Sequence, residues 1–251
     1  MNRFLPLTLL VAAACTRFPG RPPADSEVVR PDAVTAFEPL YRANCAGCHG
    51  ENGRGGAAAA LADPLYLAIA DDATIRRVVK SGVPGTAMPA FAREAGGMLT
   101  QQQVDAIVAG MRERWARPQT PTTCAAGSCS VHDFGTPPYS APGEGDRKRG
   151  TAVYQTYCAS CHGAGGRGGE KAGSIVDGSF LALVSNQSLR TMVIVGRPDL
   201  GAPDFRGNLP GRAMSSDEVS DVVAWLSAQR TQVAGQPYPA AARAGNEGGE
   251  Q

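Results

Sequence analysis

Apolar and polar positions repeat along this chain, and the clearest pair of repeats closes each half. Thr100-Gln101-Gln102-Gln103 opens a helix to about Trp115, and Ser215-Ser216-Asp217-Glu218 opens another to about Gln229. Each start is a capping box, a hydroxyl residue followed three positions later by Gln or Glu. Set side by side, Val104 falls on Val219, Ile107 on Val222, Gly110 on Trp225 and Met111 on Leu226. Further elements follow from caps and breakers. A short helix over about Ala36 to Asn44 tolerates Pro39 only near its first turn. A short one lies around Pro64, between Leu61 and Ala70, and the next is capped by Asp72, running through Lys80 to a stop at Gly82. The second half repeats the plan with helices over about Arg147 to Tyr157, Ser179 to Val184, and Gln187 to Val195 before Gly196. Nothing reads as strands alternating with helices.

Between the halves, about Ala116 to Asp146, prolines stand at 118, 121, 137, 138 and 142, the signature of a linker. From Thr231 onward the tail is polar and glycine-rich and reads as disordered. At 251 residues, with 31 glycines, 19 prolines and 6% aromatics, the chain fits two small loop-rich domains with thin cores. Such domains usually need a staple. The net charge of +1 gives no sign of nucleic-acid binding.

The staple is legible in the cysteines. Cys45-Ala46-Gly47-Cys48-His49 returns 113 residues later as Cys158-Ala159-Ser160-Cys161-His162. Two thiols at this spacing can add across the vinyl groups of one haem, and the following histidine is placed to bind its iron. The likeness continues through His49-Gly50-Glu51-Asn52-Gly53-Arg54-Gly55-Gly56 and His162-Gly163-Ala164-Gly165-Gly166-Arg167-Gly168-Gly169, and Tyr41 matches Tyr154 upstream. Parallel surroundings of that length mark a duplicated domain. A zinc site needs four ligands at one centre, and each copy supplies three.

Over nearly all of residues 32 to 230 the chain resembles class I cytochromes c, two in tandem. The resemblance implies an all-α fold of two cytochrome c-like domains, each wrapped around a covalently bound haem. It implies two haem c, held by Cys45, Cys48, Cys158 and Cys161, with His49 and His162 on iron. The expected organisation is a signal peptide at 1–14, a tether at 15–33, domains at 34–117 and 147–230, a linker at 118–146 and a tail at 231–251. Class I cytochromes also cross their first and last helices beside the haem, a large residue packed on a small one. Gly150 against Trp225 would make that contact in the second domain, and Phe37 against Gly110, with the sizes exchanged, in the first.

The family usually places a thioether opposite the histidine, because soft sulfur favours Fe(II) and raises the potential. Met88, in Pro84-Gly85-Thr86-Ala87-Met88-Pro89-Ala90-Phe91, is the expected ligand of the first haem. Met98, just before a helix cap, is the weaker candidate. The matching stretch of the second domain, Pro198-Asp199-Leu200-Gly201-Ala202-Pro203-Asp204-Phe205, puts Ala202 where Met88 stands. Met214, Met192, His132 from the linker, or water then compete for the second iron, or the position is empty.

At the N-terminus an apolar run from Phe4 to Ala14 follows Met1-Asn2-Arg3, the pattern of an export signal too short to anchor in a bilayer. Ala12-Ala13-Ala14-Cys15 resembles a bacterial lipobox, apart from Ala12 where leucine is commoner. Lipidated Cys15 would tether an exported, periplasmic protein to the membrane, and ordinary cleavage after Ala14 is the alternative. Of the seven cysteines, Cys124 and Cys129 remain. In an exported linker they read as a disulfide loop, against a rival site using Cys129 and His132. The expected function is electron transfer in a bacterial respiratory chain, between a quinol-oxidising complex or dehydrogenase and a downstream cytochrome or oxidase. The alternative is a peroxidase or gas-binding protein using an open second haem, with Asp199 and Asp204 flanking the position a distal acid would need.

Overall fold

A computed structural model of the protein describes residues 29–116 and 135–230. The lipobox, the linker cysteines, His132 and the tail therefore lie outside the described residues. The chain divides into two compact units, residues 1–34 and 35–251. Of the first, a single 3-10 turn over Pro31–Ala33 is described.

In the second unit the described residues are helical, with isolated bridges in place of strands. Five helices build each half. In the first they are α1 (Phe37–Asn44), α2 (Ala46–His49), α3 (Pro64–Ile69), α4 (Asp72–Ser81) and α5 (Gln101–Trp115). In the second they are α6 (Arg147–Tyr157), α7 (Ala159–His162), α8 (Gly178–Leu183), α9 (Asn186–Val195) and α10 (Ser216–Ser227). The order is the same, so the duplication read from the motifs is a duplication of architecture.

Local chemistry sets the boundaries. Thr100 and Ser215 form the expected capping boxes with Gln103 and Glu218. Asp63 caps α3, accepting from the Leu65 and Tyr66 amides, with Pro64 at the first helical position where its missing N–H costs nothing. One cap differs from expectation: Asp71, not Asp72, caps α4 by accepting from the Thr74 amide. The Asp72 carboxylate instead pairs with Arg112 of α5 at 2.6 Å. Likewise α8 begins one residue earlier than the pattern suggests, because Asp177 caps it through the Ser179 and Phe180 amides.

The first and last helices of each half cross in close contact, as expected. A methyl group on Gly110 would sit 2.2 Å from the Phe37 ring. One on Gly150 would sit 2.1 Å from the Asp221 carbonyl oxygen and 2.8 Å from Trp225 Cβ. Both crossings thus depend on a missing side chain, and the large partner comes from opposite helices. The indoles restore the symmetry. Trp115 and Trp225 sit at different positions of α5 and α10, yet the rim of the first would touch a Cβ at Gly53 and that of the second a Cβ at Gly166, which is the same place in the repeat. Trp115 meets Phe37 and Tyr41 edge-on at 5.3 and 5.1 Å, whereas Trp225 stacks on Tyr154 at 4.2 Å. The cores lie along these crossings: Leu40, Tyr41, Val104, Ile107 and Met111 in the first half; Tyr154, Val219, Val222 and Leu226 in the second.

Candidate haem sites

Each Cys-x-x-Cys-His motif is folded into one short helical turn. The His49 and Cys48 amides donate to the Cys45 carbonyl at 3.0 and 3.2 Å, and the His162 and Cys161 amides donate to that of Cys158 at the same distances. That turn gathers two thiols and an imidazole within five residues. None of the four described cysteines is paired in a disulfide. Burial pushes the Cys45 and Cys158 thiols up to about 11, so each first cysteine sits in the same kind of apolar environment.

The imidazoles are held from behind. His49 Nδ1 lies 2.8 Å from the Ala59 carbonyl oxygen, and His162 Nδ1 lies 2.8 Å from that of Gly173. An Nδ1–H donated to a carbonyl fixes the tautomer and leaves Nε2 with its lone pair free to bind a metal. Burial lowers the His49 pKa, which favours the neutral ring that a metal requires. His49 is 9% exposed, while His162 is half-buried. The matched tyrosines brace the same turns: the hydroxyl of Tyr41 donates to the Gly50 carbonyl at 2.8 Å, and that of Tyr154 to the carbonyl of Gly163. Among the described residues no group of three or more His, Cys, Asp and Glu gathers into a metal cage. A ready pair of thiols beside one oriented imidazole is what covalent haem attachment requires, so the residues present fit the group.

The distal loops are closed by the same backbone hydrogen bond and differ in their side chains. The Val83 amide donates to the Met88 carbonyl at 3.0 Å; the Arg197 amide donates to the Ala202 carbonyl at 3.0 Å. The Phe91 amide returns to Val79, and that of Phe205 to Ile194. Gly82 and Gly196 make the loops possible. At φ 64° and 69° each lies against backbone of residues 88–90 or 202–203, where a Cβ would collide at 2.3 to 2.8 Å. Ala202 therefore stands where Met88 stands. Met88 is half-buried, its amide tied to Thr86 Oγ1 at 3.1 Å. Met98 is 78% exposed.

The two methionines of the second half, Met192 and Met214, are half-buried and buried. Met214 is 1% exposed, and its amide donates to the Phe205 carbonyl as the Leu99 amide donates to that of Phe91. Met192 lines a small gap with Ala59, Ala60 and Tyr66 of the first half. Neither carboxylate proposed as a distal acid is free to serve. Asp199 is hydrogen-bonded and ion-paired to Arg197, which holds its carboxyl well down, at about 2. Asp204 is ion-paired to Arg206.

Two all-α repeats, each with a thiol pair and an oriented imidazole on one turn, define a tandem c-type cytochrome. The profile of the family described as cytochrome c oxidase, cbb3-type, subunit III matches residues 32–109 and 145–226, and the chain belongs to that family. It carries two haem c groups. Among curated proteins it is 28% identical over 157 residues to the cbb3-type cytochrome c oxidase subunit CcoP of Azospirillum sp. (strain B510), covering 58% of this chain and 44% of the relative. It is 32% identical over 97 residues to the subunit of that name from Rhodobacter capsulatus, covering 36% and 31%. The chain thus spans less than half the length of these relatives. Among solved structures it is similar to a chain of the Kuenenia stuttgartiensis reducing HAO-like protein complex (17% identity, TM-score 0.39, covering 78% of this chain and 96% of that one). It is also similar to the thiosulfate dehydrogenase of Marichromatium purpuratum (21%, 0.29, 88% and 50%).

The sequence reading missed the Ala59 and Gly173 carbonyls, which as backbone acceptors carry no residue signature. It also missed a contact between the halves. The Arg197 guanidinium donates to the Gly56 carbonyl at 2.8 Å and to that of Ala58 at 3.2 Å, while Asp199 accepts from the Gly55 amide at 3.0 Å.

Proposed function

We propose that the protein is a membrane-tethered electron carrier, or a cytochrome subunit, in which one haem is closed and the other open. Cys45 and Cys48 would hold the first haem, with His49 and Met88 as the residues that would bind its iron. Cys158, Cys161 and His162 would hold the second, for which Ala202, in the place of Met88, offers no ligand. The haems supply reversible one-electron chemistry when bound. The chain's own residues orient each imidazole through a carbonyl, brace each turn through the Tyr41 and Tyr154 hydroxyls, and fix the loop carrying Met88. Electrons would pass from a quinol-oxidising complex or dehydrogenase to a downstream cytochrome or oxidase, a role consistent with the name the relatives carry. Export, lipidation at Cys15 and a Cys124–Cys129 disulfide belong to the same proposal. Among the described residues no helix is long and apolar enough to cross a membrane.

The observation that carries this reading is the pair of equivalent turns, each presenting two thiols and an imidazole fixed by a carbonyl at 2.8 Å. A second reading, small-ligand binding at the second iron, is favoured by Ala202 in the place of Met88. Peroxide cleavage is not favoured, since Asp199 and Asp204 are both committed to arginines. The test is the optical spectrum of the reduced protein with and without carbon monoxide. Carbon monoxide is expected to bind one haem of the wild type and both haems of Met88→Ala. Binding to neither in the wild type would refute the open site.

A further inference from the structure

We propose that Arg197, oriented by Asp199, is a positioning residue through which the second domain sets the redox potential of the first haem. The inference rests on the reading that Cys45, Cys48 and His49 hold that haem. Arg197 belongs to the distal loop of the second half, at the position Val83 occupies in the first. Its side chain pairs with Asp199 of its own loop and reaches across to the first domain. There it caps the carbonyls of Gly56 and Ala58. The next residue is Ala59, whose carbonyl holds His49 Nδ1. The same segment is stitched to the haem motif, because the Ala58 amide donates to the Cys48 carbonyl at 2.9 Å. A methyl on Gly56 would lie 2.2 Å from that carbonyl oxygen. A displacement of Gly56 to Ala58 is therefore passed directly to the proximal side of the first iron.

The pair is built rather than incidental. The Asp199 carboxylate takes two hydrogen bonds from Arg197, Nε at 2.9 Å and an Nη at 2.8 Å, and one from the Gly55 amide at 3.0 Å. Both side chains are 13% exposed, so the charges are largely withdrawn from solvent and screened less than surface ions. Bidentate geometry fixes the guanidinium plane against the carbonyls. Among the described residues no cation caps the equivalent segment of the second domain, where the Gly169 amide donates to the Ala172 carbonyl. The two proximal sides are equivalent in their motifs and differ in this clamp.

Opposite charges in the pair give the test a sign. A cation beside the proximal ligand disfavours the extra positive charge of Fe(III), and a carboxylate favours it. Potentials of both haems are read by spectroelectrochemical titration of the full holoprotein. The first haem is identified by its sulfur-to-iron charge-transfer band, and haem content and thermal unfolding are measured in parallel. Arg197→Gln is expected to lower the potential of the first haem, with a several-fold rise in its ferric-to-ferrous ratio at fixed poise (tenfold being 59 mV for a one-electron couple). Asp199→Asn, which keeps an acceptor for the Gly55 amide, is expected to raise it. Arg197→Lys is expected to restore part of the first shift. The second haem should move less in every variant.

Shifts of one sign in both variants, or none, would overturn the inference, because loosened packing moves a potential without regard to the charge removed. A larger shift at the second haem would also overturn it, placing the action of Arg197 in its own domain. Should Arg197→Gln fail to take up haem, Asp199→Asn decides alone: an upward shift supports the proposal and no shift refutes it. A wild type without two haem waves would instead overturn the reading beneath it, and the inference with it.

Discussion

Adding one methyl group to each helix crossing should have unequal consequences. Gly150→Ala and Gly110→Ala change equivalent contacts, and both gain about 0.8 to 1 kcal/mol of helix propensity. They differ in what the methyl meets. At Gly150 it meets the backbone of α10, 2.1 Å from the Asp221 carbonyl oxygen and 2.7 Å from its carbon. Backbone in mid-helix yields only if α6 and α10 part. The separation also strains the Asp221 carboxylate, which accepts from the Asp146 amide at 2.6 Å and from Arg149 at 2.7 Å. Overpacking of this kind costs about 3 kcal/mol at the upper end, leaving a net loss of about 2 kcal/mol. At Gly110 the methyl meets Phe37, the half-buried first residue of an eight-residue helix, which can swing outward. The net loss there should be about 1 kcal/mol or less. Calorimetry of the holoproteins should show one transition falling by roughly 8 to 16 °C for Gly150→Ala, and by no more than half of that for Gly110→Ala. Equal shifts, or a stabilised Gly150→Ala, would refute the argument that backbone, not side chain, blocks the second crossing.

Two further predictions concern the second domain. Arg190 is 2% exposed, and its guanidinium donates to the Pro138 and Tyr139 carbonyls and to the hydroxyls of Ser216 and Ser220. Arg190→Met should lower that domain's stability by about 2 kcal/mol, and Arg190→Lys should recover little, since an ammonium lacks the planar fork that serves several acceptors. Calorimetry checks this, and an unchanged transition in Arg190→Met would count against it. Asp221 has its carboxyl held below the usual range, first by hydrogen bonding to Arg149. A depressed folded-state pKa contributes stability above the unfolded value of about 3.9, lost as pH falls through the folded value. Unfolding temperatures measured from pH 7 down into the acid range should thus fall less steeply in Asp221→Asn, and parallel curves would reject the assignment.

Much of this was legible because its causes are local. Capping at Thr100 and Ser215 needs a hydroxyl and a Glu or Gln within four residues, and the haem motif needs five. The paired glycines could be matched with their large partners because both crossings join helices whose register the repeat fixes. Asp71 and Asp72 show the limit: adjacent identical residues compete for one cap, and the choice was made by Arg112, forty residues away. The role of Trp115 was hidden for a similar reason. It reaches the Gly53 loop from a helical position that does not align with Trp225, so only packing reveals that the two indoles fill one site. Cys15, Cys124, Cys129 and His132 lie outside the described residues.

The two halves match where attachment constrains them and part where it does not. Covalent haem capture demands two thiols and an imidazole on one turn, a tyrosine brace and a carbonyl behind the ring, and both halves have them. The distal loop needs only its backbone path, set by Gly82 or Gly196 and by one returning amide. With that path fixed, side chains on the loop can change without disturbing the fold. Val83 and Met88 belong to the first loop, whose Ala87 amide donates to the Leu183 carbonyl of the second half; Arg197 and Ala202 occupy the same backbone positions of the second loop, and Arg197 reaches the first half. A loop that must deliver a sulfur to iron has its approach dictated by that bond. On the proposed ligation the second loop has no sulfur to deliver, and it docks through the Arg197–Asp199 pair against the proximal segment of the first domain. On the proposed ligation, the side chains at Val83 and Met88, and at Arg197 and Ala202, decide what each loop meets beyond the hydrogen bond that closes it.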